Sequence, residues 1–131
     1  MNKTRMLDIM TDHEQVRSIE RRIEVMRETL ERTTAQLNGM PHGSDGSDKM
    51  STLTAEIVDL TRKLDERRVD LEKKAQEVER MIDTLPDRTW RRIMRLRYVE
   101  GLSWGKIHKI THYEVDSLMK KQRKALEELE K

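Results

Sequence analysis

The stretch "YVEGLSWGKIHKITHYEV", Tyr98 to Val115, decides how the chain is read. Gly101 interrupts one apolar pattern, Ser103 opens a second, and a third begins near Tyr113. Glycine reaches the left-handed backbone region that ends a helix, and serine is a good N-cap. Three short helices are therefore expected at the end of a chain that otherwise reads as long charged helices.

Upstream, Leu85-Pro86-Asp87 resets the chain. Proline in a first helical turn needs no amide donor, and Asp87 suits the positive end of a helix. Trp90, Ile93, Met94, Leu96 and Arg97 then lead to Tyr98 over about three turns. The middle helix follows Ser103, with Trp104, Ile107 and Ile110 expected to face inward. Thr111-His112-Tyr113 forms a tight turn, and Val115, Leu118, Met119, Gln122, Ala125, Leu126 and Leu129 line one side of a final helix. Helix, short helix, three-residue turn and longer basic helix is the order of a helix-turn-helix.

In that arrangement the short helix braces the long one and leaves one face outside. Asp116, Ser117, Lys120, Lys121 and Lys124 lie on that face. Lysines neutralise phosphates, while Ser and Asp reach base edges in a major groove. Arg91 and Arg92 open the densest basic run, "RRIMRLR" (Arg91–Arg97), which reads as a phosphate contact, a polymerase surface or a solvated face. These seven residues, Asp116 and Ser117 with Lys120, Lys121, Lys124, Arg91 and Arg92, are the candidate DNA-binding set.

The N-terminal two-thirds reads as two long helices. Ile9, Val16, Ile19, Ile23, Met26, Leu30 and Leu37 form one seam, with Thr33 filling a polar step. Met50, Leu53, Ile57, Leu60, Leu64, Leu71, Val78, Met81 and Leu85 form another, with Arg67 and Lys74 at two seam positions. The first alternates by three and four from Val16 and the second throughout, the pattern of a coiled-coil seam. A loop at 38–49, containing "NGMPHGSDGSDKM", separates them, with Asn38-Gly39 as a stop and Asp48 or Ser51 as the next cap. The second helix is expected to fold back and to overshoot the first, so that its surplus turns need another partner. Two thin stripes favour a homodimer over a lone hairpin. The expectation is thus an all-α chain, with a helical hairpin over 1–85 and a helix-turn-helix unit over 86–131.

Composition agrees. The 131 residues are 40% charged and 34% hydrophobic with 3% aromatics, which suits narrow helical seams better than one large core. Cysteine is absent, which excludes disulfides, thiolate metal sites and cysteine nucleophiles. No apolar run approaches membrane-spanning length and the N-terminus lacks a signal-peptide apolar region, so a cytoplasmic protein without membrane association is expected. Net charge is +2, but residues 1–85 hold 15 Lys/Arg against 18 Asp/Glu and residues 86–131 hold 12 against 7. A basic unit on a mildly acidic one points towards nucleic acid.

The segment "LPDRTWRRIMRLRYVEGLSWGKIHKITHYEVDSLMKKQRKALEEL" (Leu85–Leu129) resembles region 4 of bacterial sigma factors, the part that reads the promoter −35 element. Leu85-Pro86, Leu96-Arg97-Tyr98, Glu100-Gly101, Ser103 and Ile107 carry the likeness, with Val115, Leu118, Ala125 and Leu129 in the recognition helix. The whole layout is similar to small sigma-like proteins of phages and prophages, the ArpU/RinA-type regulators. The resemblance implies double-stranded DNA as a partner and RNA polymerase as a second one. Two departures stand out: His108 occupies a small-residue position of the pattern, and His112 stands where it has Gly. No sigma region 2 counterpart precedes Leu85, which argues against a complete promoter-opening factor.

Other chemistries find little support. His108 and His112 are four apart, but Lys109 replaces the glutamate of a zinc hydrolase motif and no third ligand is evident. "SDGSD" lacks calcium-loop spacing and reads as a linker. Trp90 and Trp104 read as core, and no cofactor or enzyme is expected. The rival function is a protein-interaction module docking on RNA polymerase or another phage protein without reading DNA.

Overall fold

The computed structural model of the chain describes residues 2–38 and 44–131. The chain is all-α: α1 (Asn2–Asn38), α2 (Ser44–Asp83), α3 (Arg88–Met94), α4 (Trp104–Thr111) and α5 (Val115–Leu129). Among the described residues there is no strand.

The expected loop at 38–49 is shorter than the sequence suggests. Helix α2 already begins at Ser44, so Ser44, Asp45, Ser47 and Asp48 are helical and neither Asp48 nor Ser51 is a cap. The expected Gly39 stop falls in 39–43, outside the described residues. The overshoot of the second helix does not occur either, because α1 has 37 residues and α2 has 40.

The chain divides into two compact units. One is Glu14–Val69. Its seam buries Val16, Ile19 and Ile23 of α1 and Leu60 and Leu64 of α2, as the heptad spacing predicts. Thr33 is buried too, and its hydroxyl donates to the Thr29 carbonyl at 2.9 Å, so the polar step carries no unsatisfied donor. Arg67, at its seam position, stays exposed and donates to Gln15 Oε1 at 2.6 Å; Arg68 pairs with Glu20 at 3.2 Å. Exposed pairs of this kind contribute about 0–1 kcal/mol, so the apolar seam holds the unit together.

The second unit joins Met1–His13 to Asp70–Lys131. Residues 86–131 therefore do not form a unit of their own, contrary to the boundary expected at Pro86. The reason is the core. Met6 and Ile9 from α1, Val78 and Ile82 from the end of α2, Leu85 just beyond it, Met94 and Tyr98, and Ala125 and Leu129 of α5 form one buried cluster. Each fully buried aliphatic side chain contributes about 1.5–3 kcal/mol, and five of these nine come from before Pro86. Polar contacts close the same unit. Lys3 N–H donates to Glu130 Oε1 at 2.7 Å, Asn2 donates to the Leu129 carbonyl, and Lys74 pairs with Asp12 at 2.7 Å.

The apolar pattern does not single out His13, although it fills a seam position four residues beyond Ile9. It is buried, and its Nε2 lies 2.8 Å from the Tyr98 carbonyl. Its ring rests on Gly101, whose φ is +70°; a Cβ there would lie 2.5 Å from His13 Nδ1. Gly101 is thus required twice, for its backbone and for its bareness. Gly101→Ala should cost more than the 1–2 kcal/mol, roughly, of a left-handed alanine. In a His13→Ala background the clash is gone, so urea unfolding should show Gly101→Ala costing less there. Equal costs in the two backgrounds would contradict the contact.

Candidate nucleic-acid interface

Local sequence builds the three short helices. Asp87 caps α3, its carboxylate accepting from the N–H groups of Thr89 and Trp90. After Met94 the helix widens into a π turn over Arg95–Val99, closed by Glu100 N–H donating to the Arg95 carbonyl and by Leu102 N–H donating to the Leu96 carbonyl. Gly101 then turns left-handed, as expected, and Ser103 caps α4 by accepting from Lys106 N–H at 3.3 Å. Ile107 is fully buried in a second small cluster with Ile93 and Leu118, against which Trp104 packs.

Two inward assignments do not hold. Ile110 is 45% exposed. Three-residue steps fall short of a full turn, so from Trp104 through Ile107 the inward line drifts past Ile110 to Thr111. Thr111 is half-buried, with its hydroxyl donating to the Ile107 carbonyl at 2.8 Å. On α5 the inner line is Leu118, Gln122, Ala125 and Leu129, spaced by four, three and four; Val115 and Met119 lie at its flank and are exposed.

The two histidines that depart from the sigma pattern build the turn between α4 and α5. His112 is left-handed, with φ 65°, a conformation in which His is among the better-tolerated non-glycine residues. Its N–H donates to the His108 carbonyl at 2.7 Å, while His108 Nδ1 lies 2.7 Å from the Tyr113 carbonyl. They serve backbone geometry, and no group of potential metal ligands occurs among the described residues.

The candidate residues on α5 share one side of the helix. Lys120, Lys124 and Asp116 are exposed; Ser117 and Lys121 are half-buried. At 100° per residue these five span an arc of about 140°. Asp116 lies in the first turn, where its charge complements the helix dipole. The Lys121 ammonium sits over the Tyr113 ring, 5.1 Å from its centroid. Arg123 is not among the residues expected from the sequence; it is exposed at the border of the same arc, three residues after Lys120.

Arg91 and Arg92 behave differently from each other. Arg92 is exposed, whereas Arg91 is half-buried and donates to the Leu85 and Pro86 carbonyls at 2.6 and 3.2 Å. Both line a groove of about 670 Å³ together with Arg88, Arg95, Thr111 and Tyr113. Of the rest of the basic run, Arg97 stacks on Trp104, 4.8 Å from the ring centroid, and donates to the Leu102 carbonyl. It is a brace and does not face a ligand.

No family model matches the chain, and neither a curated protein nor a solved structure matches it.

Tyr98 fixes α5 against α3, donating its hydroxyl to Gln122 Oε1 at 3.0 Å. Burial pushes its pKa above the ordinary 10.0, with the Arg97 cation opposing. A raised pKa means stability that is complete below pH 10.0 and is lost as pH climbs from there through the folded value. Tyr98→Phe should therefore flatten the alkaline fall in stability, read from urea midpoints across that window. An unchanged slope would contradict it.

Proposed function

We propose that the chain is a sequence-specific DNA-binding transcriptional regulator of phage or prophage genes. Helix α5 enters the major groove, α4 braces it, and the unit of Glu14–Val69 serves dimerisation or RNA polymerase contact. The observation that carries this reading is the cationic side of α5. Lys120, Arg123 and Lys124 are exposed and have no partner among the described residues. A helix holding three unpaired cations on its outer face suits a polyanion, and a helix of this diameter fits the major groove. The resemblance of Leu85–Leu129 to sigma region 4 and the basic balance of 86–131 support the same class of partner.

A specific observation also favours the rival. Ile110, Tyr113, Val115 and Met119 are 38–45% exposed around the α4–α5 turn. Apolar groups gathered at one spot suit a protein surface such as that of RNA polymerase. Among the described residues no helix is long and apolar enough to cross a membrane, so this patch is not part of such a span.

Fluorescence anisotropy with duplex DNA carrying a phage promoter region separates the two. Lys120→Ala/Lys124→Ala should weaken binding and reduce the log–log salt slope by about 2, since each phosphate that is no longer neutralised removes about 0.9. Salt-independent binding, or a slope untouched by the double variant, would exclude α5 as the reading helix.

A further inference from the structure

The groove beside α3 has a composition that neither the apolar cores nor the α5 ridge explains. Arg88, Arg91, Arg92 and Arg95 are spaced by three, one and three, which places all four on one side of the α3 and π-turn segment. Like charges at this spacing destabilise a helix unless an anion sits among them. The chain supplies only part of one. Arg95 pairs with Asp83, and Arg91 donates to two backbone carbonyls, which leave its charge uncompensated. Arg88 and Arg92 are exposed without a partner among the described residues. The Nε of Arg95, like that of Arg97, is shielded from solvent and has no acceptor.

We infer that this groove is a phosphate-binding site, which holds backbone phosphates of a nucleic acid through the forked guanidinium groups of Arg88 and Arg92. Arg91 and Arg95 are held in the groove by their contacts with Leu85, Pro86 and Asp83, so the ordering cost of receiving an anion falls on Arg88 and Arg92. Guanidinium forks match phosphate oxygens in pairs, which explains four arginines and no lysine on this side. Tyr113 forms the far wall, and the Lys121 cation over its ring continues the positive surface onto α5. The groove would thus grip the strand flanking the base pairs that α5 reads, fixing register without contributing sequence information. The inference rests on the proposed DNA reading for the source of the phosphate, but not for the site itself.

The test uses the full chain, with duplex binding measured against salt for Arg88→Ala/Arg92→Ala, Arg88→Lys/Arg92→Lys and Lys120→Ala/Lys124→Ala. Circular dichroism would verify that each folds. The arginine-to-alanine pair should weaken binding roughly tenfold on every sequence alike and lower the salt slope by about 2. The lysine pair should keep the slope but recover only part of the affinity. An unchanged slope for the arginine-to-alanine pair, with a reduced one for Lys120→Ala/Lys124→Ala, would overturn the groove and leave the α5 reading intact. The reverse pattern would keep the groove and overturn α5. If the wild-type chain binds no duplex, inorganic pyrophosphate followed by NMR decides the site. Shifts confined to Arg88–Arg95, Thr111 and Tyr113 would support a phosphate site for a free phosphorylated ligand. No shift, or equal shifts with hexaglutamate, would overturn it.

Discussion

The C-terminal helices depend on a core that they cannot complete alone. Met6, Ile9 and His13 of α1, with Val78 and Ile82 of α2 and Leu85 after it, supply most of what Met94, Tyr98, Ala125 and Leu129 pack against. Three short helices of 7, 8 and 15 residues, joined by a π turn, bury little by themselves. Isolated helices of such length are marginal in water. Cutting the chain at Pro86 would remove five core side chains and the His13 ring on which Gly101 rests.

That shared core has a consequence for the basic surface. The side of α5 carrying Leu118, Gln122, Ala125 and Leu129 is occupied, so Lys120, Arg123 and Lys124 are left outside. Within the π turn at Arg95–Val99, Tyr98 reaches inward to Gln122 while half-buried Arg97 lies on Trp104. Arg88 and Arg92, one turn apart on α3, remain exposed in the groove that Tyr113 also lines. Bracing and binding cations are thus sorted by which side of each helix the core consumes.

Much of this is legible in the sequence. The all-α class, the seam from Val16 to Ile23, the Ser103 cap and the Gly101 stop each follow from a local signal of one residue type at one spacing; the start of α3 does not, since Pro86 reads as part of the first turn whereas the helix begins at Arg88 with Asp87 as its cap. What escapes is non-local. His13 is polar, so an apolar count passes over it, and only its place three residues before Val16 marks it as a seam residue. The start of α2 is hidden because Ser, Asp and Gly suit loops and first helical turns alike. Counting apolar residues puts Ile110, Val115 and Met119 inside, although the helical drift leaves them at the flank. Of the interface, the α5 lysines are legible as a charge pattern. Arg88 and Arg95 share a side with Arg91 and Arg92 by spacing alone, but the groove that they line with Thr111 and Tyr113 is not legible, because it depends on how α3 meets the α4–α5 turn. Arg91 reads as a DNA-facing residue, yet much of its hydrogen bonding goes to the Leu85-Pro86 backbone.

Native-state amide hydrogen exchange in low denaturant tests the dependence of the C-terminal helices on α1 most directly. If the core is shared, amides of Met6–His13, Val78–Ile82, α3 and α5 open with one common free energy and one common denaturant dependence. Amides of Met6–His13 exchanging through a separate, much cheaper opening, with α3 and α5 still protected, would contradict the account.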